Sequence, residues 1–293
     1  MSDSRTGVPA GRPAGIRWPD LPGLTAAAAL GAVYLLTMCR DLYWYDSAEL
    51  AMAALQPGLS HPPGQPLHTL VGYAVSRLFQ GHPLLGLNAL SAACAALTAV
   101  PAMRLVRILR GRTGGDAEWM AAAVLVGLGM TDAVWESATR IEVYSMAGMM
   151  AIWQAAHVAE IATGLDADEP PSRTDWFLAG LLPGLAASVH PYVAIFSAIA
   201  TVLALAGPLL RGRWSSIRAS LLSVPGLLLG LAPYAWIPAS TLLDGNLAWG
   251  EPSTFEAMSF YLRGVDYSQN RAGVPVAMVQ AADFVLWLAG KGT

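Results

Sequence analysis

Seven apolar runs follow one another along this chain, at residues 22–39, 84–108, 117–135, 141–162, 175–189, 191–209 and 219–241. A helix needs about 20 mostly apolar residues to cross roughly 30 Å of hydrocarbon, and most of these runs have that length. Only 13% of the residues are charged and 55% are hydrophobic, against roughly 25% charged in a soluble domain. Such a chain has too little polar surface to cover a water-facing body. The expectation is an all-α polytopic membrane protein with about 7–8 transmembrane helices. Segment 67–80 is too short to cross and is expected in the interface or as a re-entrant piece. A last apolar segment, 274–290, is cut off by the end of the chain, so the bundle reads as C-terminally short.

Residues 1–21 are polar and rich in Gly, Pro and Arg, and read as a disordered cytoplasmic tail ahead of a membrane domain over 22–293. Arg17 precedes the first run, but no small-x-small cleavage site follows before Arg40, which favours an uncleaved first span. With the N-terminus inside, eleven Lys and Arg fall at inner ends and six at outer ends, the dense clusters around Arg104–Arg112 and Arg211–Arg218 being inside. This makes 40–83 a first outer loop and 242–273 a second. The net charge of −3, with no basic patch interleaved with aromatics, excludes nucleic acid as a partner. Cys39 and Cys94 lie in or beside apolar runs and read as small buried hydrophobes rather than a disulfide.

That orientation puts Asp46, Glu49 and His61 in the first outer loop and Glu142 and Tyr144 at the outer start of the fourth span. Arg140 sits beside them at an outer end, and His190 occupies the outer turn between the fifth and sixth spans. Trp249, Glu251, Arg263 and Asp266 fall in the second outer loop. Ionisable groups beside membrane helices usually mark sites. Asp46 and Glu49, three apart, share one helix face, where mutual repulsion raises one pKa and makes a proton acceptor. The same spacing also fits a capping box with Asp46 as N-cap and Glu49 at N3. The run His61-Pro62-Pro63-Gly64-Gln65-Pro66 is stiff and non-helical, suited to holding His61 in place or to serving as a plain connector. Asn88, Ser91 and Thr98 recur at helical spacing and are expected as interhelical hydrogen-bond partners. Arg263 can take a phosphate bidentately or contact lipid headgroups. No HExxH or paired-His spacing assigns a metal. A divalent ion on mixed oxygen and nitrogen donors from Asp46, Glu49, His61, His68 or His190 stays open as the one cofactor.

Taken in order, Asp46-Ser47-Ala48-Glu49, His61-Pro62-Pro63-Gly64-Gln65-Pro66-Leu67, Asn88-Ala89-Leu90-Ser91-Ala92, Glu142-Val143-Tyr144, Gly184–His190, Gly230-Leu231-Ala232-Pro233-Tyr234, Trp249–Thr254 and Tyr261-Leu262-Arg263 resemble the transmembrane protein 260 family. Its bacterial members carry a domain of unknown function. The resemblance covers about residues 40–270. Gln65 departs from it, standing where the family commonly has Tyr.

The resemblance implies a GT-C glycosyltransferase fold and an inverting transfer of a sugar, with mannose as the extrapolation. The donor would be a polyprenyl-phosphate sugar and the acceptor a hydroxyl of an exported protein or glycan. The site would face the outside of a bacterial inner membrane. On this expectation Asp46, Glu49 and His61 form the catalytic group, with Asp46 as base. Arg263, His190, Glu142, Tyr144, Arg140 and Trp249 bind the donor in contact with membrane lipid. The competing readings are a non-catalytic binder or transporter of lipid-linked sugars, and an incomplete subunit of a larger assembly. The lack of an internal repeat and the placing of the acids at a membrane end, not its middle, favour the transferase.

Overall fold

The structure, a computed structural model, describes residues 20–110, 115–167, 169–212, 219–243 and 249–265. Asp20 opens it. Its carboxylate accepts the Gly23 amide at 3.0 Å, Pro22 fits the first turn, and α1 runs Leu21–Thr37. Two short helices follow in the first loop, α2 (Ser47–Leu55) and α3 (Pro66–Leu78). Next, α4 (Pro83–Leu97) and α5 (Ala99–Arg110) join into one apolar rod of 28 residues, Pro83–Arg110. Helices α6 (Gly115–Gly129) and α7 (Asp132–Ala138) meet at a 74° bend. Then come α8 (Tyr144–Asp166), α9 (Arg173–Val189), started by a Ser172/Asp175 capping box, and α10 (Pro191–Leu210). After these stand α11 (Ser223–Gly230), a 3-10 turn (Ala232–Ala235), α12 (Trp236–Ser240) and α13 (Phe255–Leu262). Every regular element among the described residues is helical.

The charged side chains sort to the two ends of the helices. At one end Arg107 bonds Asp20 (2.8 Å) and Glu118 (3.0 Å), Arg104 pairs with Glu160, and the His157 ring meets the Asp175 carbonyl at 2.8 Å. This ties the start of α1 and the end of α5 to α6, α8 and α9. The opposite end is tied by the Cys39 amide on the Thr139 carbonyl (2.7 Å), the Trp135 indole on Thr37 (3.2 Å) and the Asn88 amide on the Asp41 carbonyl (3.1 Å). Along the helices the usual distribution is inverted. Leu36, Met120, Phe196, Leu203 and Leu228 are exposed, whereas Asn88, Ser91, Gln154, His157 and Ser188 are buried. Water would make that arrangement costly, since apolar area favours burial.

Helices α9 and α11 make the closest approach. Gly180 and Gly184 on α9 face Gly226 and Gly230 on α11, and a Cβ at any of the four would overlap the partner's backbone. The Ser188 hydroxyl donates to the Gly230 carbonyl at 2.8 Å, and Tyr234 donates to the Ala187 carbonyl at 2.8 Å. Both helices carry the small-xxx-small spacing that lets backbones touch in lipid.

Several sequence expectations are corrected. By length and composition only one described helix, Pro83–Arg110, is fit to cross a membrane, or two if the bent α6–α7 pair counts as one span; this does not support 7–8. Leu21–Thr37, at 17 residues, and the Pro191–Gly207 part of α10 are apolar but shorter than such a helix. Run 117–135 breaks at Met130–Thr131. Run 219–241 breaks into α11, the 3-10 turn and α12 at Gly230–Pro233, where proline cannot continue the ladder. Segment 67–80 is helix α3, docked through Leu67 and Val71 onto the cluster of Leu50, Ala54 and Leu87. Thr98 bonds its own helix through the Cys94 carbonyl, not a neighbouring one. Residues 1–19 of the tail, Arg112, Arg218, Asp266 and segment 274–290 lie outside the described residues, while the tail's last two, Asp20 and Leu21, cap and begin α1.

Candidate active site

Asp46 sits just ahead of α2 as its N-cap, but its side chain makes no capping hydrogen bond. Glu49, one turn on, does not close a capping box either. Its carboxylate accepts the backbone amide of His61, and its second oxygen lies 3.3 Å from His61 Nδ1. The other ring nitrogen, Nε2, lies 3.9 Å from Asp46 Oδ2. The histidine therefore stands between the two carboxylates, and the local cap loses to a contact twelve residues away. His61 offers the Glu49 carboxylate two partners at once, its backbone amide and its ring Nδ1, where a capping box would offer one backbone amide.

His61 can hold that position because its loop is closed. Ser60 donates its hydroxyl to Gln65, the Gly64 amide bonds the His61 carbonyl at 3.0 Å, and Gly64 takes a φ of 84°. Gln65, the departure from the family pattern, is fully buried and serves as the loop's internal acceptor. The hydrogen bond to Glu49 raises the His61 pKa above its ordinary 6.5. Burial opposes this, and the charges of Glu49, Asp46 and Glu142 add to the rise.

Glu142 lies ahead of α8, buried against α4. Ser91 shares its hydroxyl with the Glu142 amide (3.2 Å) and carbonyl (3.3 Å), so the span residue Ser91 places the loop carboxylate. Burial raises the Glu142 pKa, while the Val143 amide (2.8 Å) and the Arg140 charge pull it down without reversing the shift. Arg140 Nε stands 3.9 Å from Glu142 and its NH1 2.6 Å from Glu136. The guanidinium also lies over the rings of Tyr43 (5.5 Å) and Tyr45 (5.4 Å), the residues flanking Trp44 just ahead of Asp46. Tyr45 adopts a φ of 62°, an unusual conformation for so bulky a residue. The His190 ring, at the end of α9, lies between Tyr144 (5.6 Å) and Tyr192 (5.3 Å). Burial, and next the His61 charge, lower its pKa.

The structure thus brings Asp46, Glu49, His61, Arg140, Glu142, Tyr144 and His190 to one end of the helices. It does not bring Trp249 or Arg263 into contact with them. Trp249 is partly exposed, and Arg263, closing α13, donates Nε to its own helix at the Ser259 carbonyl (3.2 Å). An open cavity of about 350 Å³ lies against α13 between Gly250 and Tyr261 and not over the carboxylates. An open groove there reflects a short exposed helix, so the acids and the histidine carry the chemical argument. Donor atoms of Asp46, Glu49 and His61 all lie within 4.8 Å of one another. Two carboxylates and an imidazole at this spacing suit one cation, either a divalent metal ion on all three or a proton on the ring. Cys39 and Cys94 are free thiols; Cys94 is buried as expected, whereas Cys39 is only half-buried and its thiol donates to the Asp41 carbonyl. Sequence reasoning missed the Tyr43–Arg140–Tyr45 stack, although the alternation of aromatics before Asp46 was visible, and it missed the role of Ser91.

Residues 46–207 match the family described as the protein O-mannosyl-transferase TMEM260 N-terminal domain. The chain is 27% identical over 231 residues to the mouse (Mus musculus) protein O-mannosyl-transferase TMEM260, an alignment covering 78% of this chain and 31% of the relative. The chain therefore spans about a third of the length of that curated relative. No solved structure matches it.

Proposed function

This chain belongs to the protein O-mannosyl-transferase TMEM260 N-terminal domain family, and from that membership we propose that it is the catalytic part of a membrane glycosyltransferase. It moves a sugar, with mannose the first choice, from a polyprenyl-phosphate donor to a hydroxyl of an exported protein or glycan. We read the helices as a polytopic GT-C type bundle over 22–293. The exposed apolar girdle and the sorting of charge to two ends support that reading. The N-terminus is cytoplasmic and the acids face the outside of a bacterial inner membrane, on the bias of Arg toward the other end.

The observation that carries the proposal is the His61 ring held between Asp46 and Glu49, with Arg140 and buried Glu142 beside it. Asp46, the more exposed carboxylate, takes the proton of the acceptor hydroxyl. The oxygen attacks the anomeric carbon from the face opposite the phosphate, and the carbon–phosphate oxygen bond breaks with inversion. The departing phosphate carries its electron pair toward a cation. Arg140 is the guanidinium nearest the carboxylates, with Arg263 in the second outer loop as a further donor contact. Arg140 already shares its charge with Glu136 at 2.6 Å, and its charge lowers the Glu142 pKa that burial raises. His190, Tyr144 and Trp249 complete the donor side.

Membranes containing the chain are expected to transfer radiolabelled mannose from polyprenyl-phosphate mannose to protein. Absence of transfer to protein or glycan, with donor binding retained, would replace the proposal with a binder. Arg140→Lys keeps the charge but loses the planar fork and the stacking on two rings. It is expected to lower kcat/KM for the donor by about tenfold or more, read from initial rates at varied donor. Removal of the Glu49 charge has a defined pH signature. The Glu49 contact raises the His61 pKa, so the imidazolium persists above pH 6.5 and is lost as pH rises through the raised value. Glu49→Gln removes the leading cause of the rise and leaves burial, which lowers it. The alkaline limb of the transfer rate is therefore expected to move to lower pH. A limb at the parental pH would show that His61 does not need its proton.

A further inference from the structure

Tyr261 lies 201 residues beyond Ser60 in sequence and donates its hydroxyl to the Ser60 carbonyl at 2.7 Å. It is almost completely buried, packed with Leu59 and Ile237. Its ring fills the space a side chain at position 64 would need. A Cβ on Gly64 would stand 2.7 Å from the Tyr261 hydroxyl oxygen and 2.9 Å from the ring. Two glycine properties are thus used together, the positive φ of 84° and the bare Cα. The same apolar cluster includes Tyr234, whose hydroxyl donates to the Ala187 carbonyl three residues before His190. Helix α13, which carries Tyr261, so touches the supports of both histidines without touching a carboxylate.

We propose that Tyr261 is a positioning residue: seated on Gly64 and bonded to Ser60, it clamps the His61 loop in register with Glu49 and Asp46. The proposal rests on the transferase reading for its effect on rate, but the clamp is a statement about the loop itself. Within the loop, the Ser60–Gln65 bond and the Gly64–His61 bond hold its shape, yet neither ties it to the rest of the molecule. The His61 amide on Glu49 is one such tie, and Tyr261 supplies another from a different helix. These ties keep the imidazole bonded to Glu49 and 3.9 Å from Asp46. Loss of the Tyr261 tie loosens that placement, and small misplacements of a reacting group are costly.

The test uses the full chain in lipid nanodiscs, as the parent, Tyr261→Phe, Gly64→Ala and Asp46→Asn, with polyprenyl-phosphate mannose as donor. Tyr261→Phe keeps the ring and removes the hydroxyl. It is expected to lower kcat about five- to tenfold while donor KM stays within about twofold, because the donor side is untouched. Amide exchange of residues 57–66 is expected to quicken, and Gly64→Ala to do the same by displacing the ring. A Tyr261→Phe protein with parental kcat and parental exchange would overturn the proposal. If the parent transfers nothing, the transferase reading has failed independently. Exchange then judges the clamp alone, and unchanged protection in both loop variants would overturn it.

Discussion

Asp46→Asn is expected to abolish sugar transfer while the helices assemble as before. The two effects separate because of where Asp46 sits. Its side chain caps nothing, is about half exposed, and reaches His61 only at 3.9 Å. An amide of the same shape gives up one long, screened ion pair, worth within about 1 kcal/mol at such a site. Chemistry loses far more. The amide cannot accept the acceptor's proton, and general-base catalysis of this kind supplies about 10²–10⁴ in rate. Initial rates should be measured on membranes matched for inserted protein, with thermal unfolding as the control. An Asp46→Asn protein that transfers at the parental rate would remove Asp46 from the mechanism and pass the role to Glu49. An inactive protein that also fails to assemble would show that the residue is structural.

Gly226→Ala is the substitution expected to damage the fold most for its size. One methyl is added, but it would overlap the Phe177 carbonyl of α9, and backbone cannot swing aside as a side chain does. The helices must part, and with them the Ser188–Gly230 and Tyr234–Ala187 bonds that hold the end of α9 and hence His190. Overpacking costs about 1–3 kcal/mol where side chains can yield, and more is expected against backbone. Thermal unfolding in detergent should show a clear fall in midpoint. Gly148→Ala on α8, where nothing lies within 4 Å of the added carbon, is the control. It should be neutral or gain up to about 1 kcal/mol of helix propensity. Equal behaviour of the two variants would mean that α9 and α11 do not pack as seen here.

Much of the candidate site was legible along the chain. Asp46, Glu49 and His61 are close in sequence, and alternate apolar runs return Glu142, Tyr144 and His190 to the same end. The capping-box alternative was equally consistent with the spacing and was wrong, because a capping box is decided by what else competes for the carboxylate. Glu49 had a histidine within reach, which spacing does not reveal. The small-xxx-small pattern of Gly180, Gly184, Gly226 and Gly230 was present in the letters, and only its pairing was hidden.

Apolar composition and the order of the runs were sufficient to establish a helical class, which holds throughout the described residues, while the ordered motifs from Asp46 to Arg263 pointed to the family. The number of uninterrupted helices was not settled that way. Hydropathy averages over a window, whereas a single bend at Met130–Thr131 or at Gly230–Pro233 ends a span. Packing alone decided three further features: that Arg140 lies over Tyr43 and Tyr45, that Ser91 holds Glu142, and that Tyr261 meets Gly64 from 197 residues away. Each is a contact between residues distant in sequence. Such contacts are selected by shape and charge in the assembled molecule, and the local preferences that a sequence displays do not contain them.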